Sequence, residues 1–232
     1  MLRSWFHRMR SRADRLNREQ ILELLEPNSN AALLDLGCDN GDWTLALGKR
    51  IGTADLHGLD VVGERLEEAA RRGIQTHQGD LNGILPFADS SFDGVHANQV
   101  IEHLADTDRF LAEIVRILKP GGYCVLSTEN LASWCNLASL ALGWQPFSLT
   151  NVSASRLGIG NPLAINRGQS TQYTSWLHLR VFAYRGLVEL LEGHGLRVER
   201  VLGSGYFPLP APLGRFDPRH AHFLALKARR PF

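Results

Sequence analysis

The chain has 232 residues, 44% hydrophobic and 21% charged, which fits a globular protein with one sizeable core and too little chain for two full domains. Twenty-five basic side chains stand against 24 acidic ones, a formal balance of +1, so no overall field draws the protein to nucleic acid or to an acidic partner. Three cysteines (Cys38, Cys124 and Cys135) lack any framework spacing, which predicts buried free thiols in a reducing, cytoplasmic setting.

Residues 1–18 offer no apolar run, so no secretory signal is expected, and no segment approaches the ~18–20 apolar residues that span a bilayer. Arginines are concentrated there instead, at Arg3, Arg8, Arg10, Arg12, Arg15 and Arg18, with Trp5, Phe6, Met9 and Leu16 between them. Residues 1–26 therefore read as a basic helical arm. It is either a solvated first helix or a surface that meets an anionic membrane or caps a site.

Beyond Pro27, Leu33 to Leu36 is a short apolar run, as in a strand buried on both faces. Asp42 to Arg50 predicts a helix, Asp55 to Val61 a second strand, and Glu64 to Arg72 a helix closed by Gly73. A third strand, Ile74 to Asp80, is more polar and suits a sheet edge. Phe92 to Asn98 predicts a fourth strand, and Thr107 to Leu118 an amphipathic helix stopped by Lys119-Pro-Gly-Gly122. Tyr123 to Thr128 is a fifth strand. The alternation calls for a parallel, doubly wound α/β sheet. It resumes with a helix over Tyr184 to His194, then strands over Leu196 to Leu202 and His222 to Lys227. Only a proline-rich turn region, Tyr206 to Gly214, separates those last two, so antiparallel pairing is open to them. Residues 131–177 break the pattern with one apolar helix (Trp134 to Trp144) and a long polar stretch, and loops of that length are usually functional.

The first strand runs into Gly37-Cys-Asp-Asn-Gly41, and an aspartate, Asp60, ends the second strand. Such a unit holds an adenine nucleoside at the carboxyl edge of a parallel sheet. A dinucleotide site needs a second glycine two residues after the first, so that bare backbone meets a pyrophosphate. Here Asp39 stands at that position. Its charge, with Asp35 at the strand end, suits a cationic nucleoside better and disfavours the alternative of an NAD-dependent oxidoreductase.

Several motifs follow one another: Leu34-Asp-Leu-Gly-Cys-Asp-Asn-Gly41, Gly58-Leu-Asp60, Gly79-Asp-Leu81, Phe92-Asp93, Gln99-Val-Ile-Glu-His103 and Leu118-Lys-Pro-Gly-Gly122. In this order they resemble the class I S-adenosylmethionine-dependent methyltransferases, closely over 31–128 and loosely over 180–228. Within that superfamily the nearest group methylates small molecules and includes quinone-biosynthesis enzymes. The resemblance implies a Rossmann-like, mostly parallel seven-stranded sheet with an antiparallel last strand, one domain over 1–232, and S-adenosyl-L-methionine as cofactor. By the same resemblance Asp35, Gly37, Cys38, Asp39 and Gly41 form the cofactor turn, with Asp39 standing where relatives usually have glycine. Asp60 would accept from the ribose hydroxyls and Asp80 would meet the adenine amine, with Val61 and Leu81 on the adenine faces. Asn98 and Gln99 would line the methionine end. Asp35 could alternatively cap the next helix, and Asp80 could simply close an Asx turn before Asn82-Gly83.

A sulfonium methyl is already activated, so catalysis consists mainly of alignment. An oxygen nucleophile also needs a base, for which histidine is suited. Two candidates are His103, beside the expected methionine pocket, and His178, where the insert 131–177 rejoins the fold with Arg180 nearby. In the quinone O-methyltransferases the stretch at 99–103 reads Glu-Val-x-Glu-His and has been linked to a divalent metal. Gln99 replaces the first acid here, so no metal is expected. The predicted activity is methyl transfer to a small or lipid-like acceptor, at oxygen, with no nucleic-acid partner. Insert and arm would roof the acceptor site, and Trp134, Trp144, Phe147 and Trp176 favour an apolar acceptor. The arm adds the possibility of peripheral membrane contact to a cytoplasmic location. A non-catalytic relative that keeps the nucleoside pocket is the other alternative.

Overall fold

Leu33–Leu36 forms strand β1, buried at all four positions, because its leucines point to both faces and need neighbours on each. Strand β2 (Leu56–Asp60) flanks it in parallel with Asp35 opposite Gly58, and β4 (Phe92–Asn98) flanks it on the other side with Asp35 opposite His96. Strand β3 (Gln75–Gln78) lies outside β2, at the edge its polar sequence predicted. With β5 (Leu118–Glu129), β6 (Arg197–Ser204) and β7 (Phe223–Arg229) the order is β3-β2-β1-β4-β5-β7-β6. This is a mostly parallel seven-stranded sheet with an antiparallel last strand, as expected. The computed structural model describes residues 2–232, with side chains from Trp5 onward, so Arg3 of the arm lies outside the described side chains.

The chain divides into two compact units, one built from residues up to Gln20, 127–188 and 201–225, the other from 21–126, 189–200 and 226–232. In the second unit, helices α2 (Asp42–Ile51), α3 (Gly63–Arg71) and α4 (Thr107–Ile117) follow β1, β2 and β4. Helix α4 starts where the Asp106 carboxylate accepts the Arg109 amide, and it buries Phe110, Leu111, Ile114 and Ile117 on one stripe. Those side chains, with Leu33, Leu34, Leu36, Leu47 and Leu59, are fully buried core. Strand β5 begins directly after α4, five residues earlier than the sequence predicts, because Gly121 takes φ +78° within the strand. Its amide still reaches the Arg230 carbonyl at 3.0 Å, and the Arg230 amide reaches Gly122 at 2.9 Å. The Pro-Gly-Gly sequence thus bends the strand without ending it.

Helix α1 (Leu2–Leu24) carries the basic arm, and its part up to Gln20 belongs to the first unit, with Ala13, Asn17 and Gln20 buried. Helix α5 (Trp134–Ala141) opens the insert, and the first turn of α6 (Tyr184–Gly193) also belongs to this unit. Ala13, Cys135, Phe207 and Phe223 form a core cluster, with Met9 and Phe147 packed on it. The insert stays ordered with little regular structure because three fully buried asparagines supply what a ladder otherwise would. Asn130 donates to the carbonyls of Arg219 (2.8 Å) and Ala221 (2.9 Å). Asn136 donates to the Asn130 carbonyl and the Ser148 hydroxyl, and Asn161 to the Gln145 carbonyl at 2.9 Å. Among the described residues no helix is long and apolar enough to cross a membrane.

Candidate functional site

The turn after β1 is shaped by left-handed backbone at Gly37 (φ +75°), Asp39 (φ +48°) and Gly41 (φ +82°). A Cβ on Gly37 would sit 2.8 Å from Val100, and one on Gly41 would collide with Ile74 and Ala69, so both positions require glycine. The amides of Gly37 and Cys38 donate to the Leu59 carbonyl at 2.7 and 3.2 Å, which ties the turn to β2. Asp39 accepts left-handed geometry, as aspartate does more readily than most residues. Its amide donates to Asp60 Oδ2 at 2.9 Å, while the Val62 amide donates to Asp60 Oδ1 at 2.9 Å. Two backbone donors therefore hold the Asp60 carboxylate in a set orientation at the end of β2. The Asp39 side chain turns to Arg65 on α3, at 3.0 Å from Nε. An exposed pair of this kind adds little stability, but it gives the unusual carboxylate a partner.

Asp35, also assigned to the cofactor turn, lies within β1. It is 2% exposed, and its oxygens accept from Thr44 Oγ1 (2.5 Å) and His96 Nδ1 (2.7 Å). Trp43 Nε1 donates to His96 Nε2 at 3.4 Å. An indole nitrogen can only donate, so His96 Nε2 carries the lone pair and Nδ1 carries the proton. The chain Trp43→His96→Asp35←Thr44 pins α2 and β4 to β1 beneath the turn. Burial first, then the charges of Asp35 and Asp60, push the Cys38 thiol far up, so it stays protonated and unreactive beside the turn.

Asp80 Oδ1 accepts from the amide and the side-chain nitrogen of Asn82, both at 2.9 Å, which is the Asx turn that its sequence also allows. Val61 is 51% exposed and Leu81 half-buried, so both are accessible to a flat ring. Asn98 and Gln99 lie at the end of β4, where Gln99 takes φ +56° and keeps its Nε2 buried without a hydrogen-bond partner. A strained non-glycine with an orphaned donor is costly unless a ligand completes it. His103 closes the short 3₁₀ turn Ile101–His103 just beyond.

His178 belongs to the other unit, where sequence reasoning missed the decisive group. Glu129, at the end of β5, is 1% exposed. Its Oε1 accepts from Arg10 Nη1 of α1 at 2.7 Å, and Oε2 has no partner in hydrogen-bonding geometry. Burial opposes its charge, but the Arg10 guanidinium beside it, with the Ser148 hydroxyl nearby, holds its carboxyl well below the usual range. His222 lies 4.0 Å from Oε1 and 3.5 Å from Arg10. Burial, aided by Arg10 and opposed by Glu129, lowers its pKa to about 4. His178 Nδ1 lies 2.7 Å from the Ser148 carbonyl and 3.9 Å from Glu129. A carbonyl only accepts, so Nδ1 of His178 carries a proton. Glu129, Arg10 and His178 all border a cavity of about 510 Å³. Among the aromatic residues of the predicted roof, Phe147 lines this cavity, Trp134 stacks on His220 and Trp176 packs on Tyr173. The available clue to Glu129 was an acid placed at the carboxyl end of a strand, where ligands of α/β sheets gather.

Residues 34–126 match a family model described as a methyltransferase domain. The demethylmenaquinone methyltransferase of Lactiplantibacillus plantarum is 35% identical over 116 residues, 47% of this chain, and the matched region spans 49% of that enzyme's length. A solved S-adenosylmethionine-dependent methyltransferase of Thermotoga maritima, described as a possible histamine N-methyltransferase, aligns with TM-score 0.62 at 19% identity. That alignment covers 98% of this chain and 93% of the other. One from Mesorhizobium loti aligns with TM-score 0.61 at 21% identity over 91% and 96%. The glycine turn and the oriented Asp60 lie within residues 34–126, which match the methyltransferase domain, and the strand order belongs to the fold shared with these solved structures.

Proposed function

We propose that the protein transfers the methyl group of S-adenosylmethionine to an oxygen of a small or lipid-like acceptor. The observation that carries this reading is the Asp60 carboxylate, oriented by the amides of Asp39 and Val62 beside a turn that only glycine permits at positions 37 and 41. The residues fit the cofactor: Asp60 would take the ribose hydroxyls, Val61 and Leu81 the adenine faces, and Asp80 the adenine amine. The orphaned Gln99 Nε2 offers a donor to the methionine carboxylate. The bound cofactor supplies a methyl group on a positively charged sulfur, ready for in-line displacement.

The protein's own part is to orient, to exclude water and to take a proton. Of the two candidate bases we favour His178, whose ring is held in place at Nδ1 by the Ser148 carbonyl. His103 remains the second candidate. The insert 131–177 and the arm are assigned to holding the acceptor, and the likeness to demethylmenaquinone methyltransferase supports a small, lipid-soluble one.

The test is direct. Calorimetry should show S-adenosylmethionine binding that Asp60→Ala abolishes, and labelled cofactor incubated with cell extract should mark a small molecule. His178→Ala should lower turnover at least a hundredfold with cofactor affinity unchanged. Binding of NAD in place of S-adenosylmethionine, or label found only on nucleic acid, would overturn the reading.

A further inference from the structure

The cavity at the end of β5 is built for a ligand that nothing above specifies. Its volume of about 510 Å³ lies in the range of small-molecule sites. Two buried acceptor atoms are left without hydrogen bonds at its wall, Glu129 Oε2 and Asn151 Oδ1. Native proteins rarely leave such atoms unsatisfied, because the loss of their hydration then goes uncompensated. The protein cannot relieve Glu129 by protonation, since Arg10 at 2.7 Å keeps it charged. Both orphaned atoms only accept, so the missing partner must donate at two points.

Charge narrows the class. Two cations, Arg10 and Arg15, and two anions, Asp14 and Glu129, are among the residues that line the cavity. An ammonium ligand would meet the Arg10 guanidinium already seated on Glu129, and an anion would meet the two orphaned acceptors. A neutral molecule with hydroxyl groups meets neither penalty. Its hydroxyls donate to the carboxylate in charge-assisted bonds, and Phe147 and Ile165 in the same wall offer an apolar surface to ring C–H groups.

We infer that this cavity binds a neutral, polyhydroxylated ligand, a sugar ring or similar polyol, with Glu129 and Asn151 accepting from two of its hydroxyls. As a statement about binding this stands without methyl transfer. As a statement about the acceptor it rests on the reading above, and it then makes the acceptor a hydroxylated ring.

The experiment titrates the full chain by calorimetry with methyl glycosides of glucose, galactose and rhamnose, beside ethanolamine and inorganic phosphate. At least one glycoside should bind saturably at one site per chain. Glu129→Gln and Asn151→Leu should each weaken it at least tenfold while far-ultraviolet circular dichroism stays native. Should Glu129→Gln fail to fold, Asn151→Leu decides alone. The inference is overturned if no glycoside binds, if ethanolamine or phosphate binds in their place, or if the folded variants bind as the parent does. S-adenosylmethionine is titrated separately. Its failure to bind with glycoside binding intact would sink the methyl-transfer reading alone, and the reverse result would sink this one alone.

Discussion

Asp35 in β1 and Glu129 at the end of β5 are both buried carboxylates in strands of one sheet, and the protein treats them differently. Asp35 has a short bond to each oxygen, from Thr44 and His96. Glu129 has Arg10 on one oxygen and nothing in bonding geometry on the other. A saturated buried carboxylate is framework, and an unsaturated one is a site awaiting a partner. Sequence cannot draw this distinction, since either acid looks alike beside apolar neighbours.

The comparison can be broken most forcefully at Asp35. Asp35→Ala strands the Thr44 hydroxyl and the His96 ring in the core, and should lower unfolding free energy by about 3 kcal/mol in denaturant titrations. A loss below about 1 kcal/mol would remove Asp35 from the framework.

A smaller effect lies on the Glu129 side, in pH. The folded pKa of His222, about 4, lies below its ordinary 6.5, so the unfolded chain binds more protons between those values. Stability is therefore fully present above pH 6.5 and is lost as pH falls towards 4, by about 2 kcal/mol between pH 7 and pH 5. The lowered carboxyl of Glu129 pushes the same way, its contribution present at neutral pH and lost on acidification. Replacing His222 with Asn should flatten the slope between pH 7 and 5. An unchanged slope would mean that His222 is not neutral in the fold.

The smallest expected effect sharpens the picture of the turn. Asp39 departs from the usual glycine, yet its charge is already turned to Arg65. Asp39→Gly should change the dissociation constant for S-adenosylmethionine by less than about threefold, under 1 kcal/mol. A tenfold gain would show that the carboxylate obstructs the cofactor.

The glycine-turn half of the molecule was legible in sequence because its contacts are local or motif-bound. An apolar run gave β1, and the spacing from Asp35 to Asp60 gave the second strand with its terminal acid. The start of β5 was not legible, because Lys119-Pro-Gly-Gly reads as a stop and the ladder resumes only through Gly121 in left-handed geometry and Arg230 far along the chain. Nor was the glutamate cavity. Glu129 acquires its meaning from Arg10 and His222, neither of which any short-range pattern connects to it.

The same distances set an order of assembly. Asp35 and Thr44 are nine residues apart, whereas Arg10 and Glu129 are separated by 119, Asn17 and Ser127 by 110, and Gln20 and Gly203 by 183. Closing such long loops costs entropy before any contact repays it, and slows folding. During synthesis α1 leaves the ribosome long before its partners exist, and its arginines stay solvated until β5 and the chain beyond residue 200 follow. The turn of β1 can be whole while the cavity wall is still missing a side, so ligand binding at Glu129 would report completion of the last step.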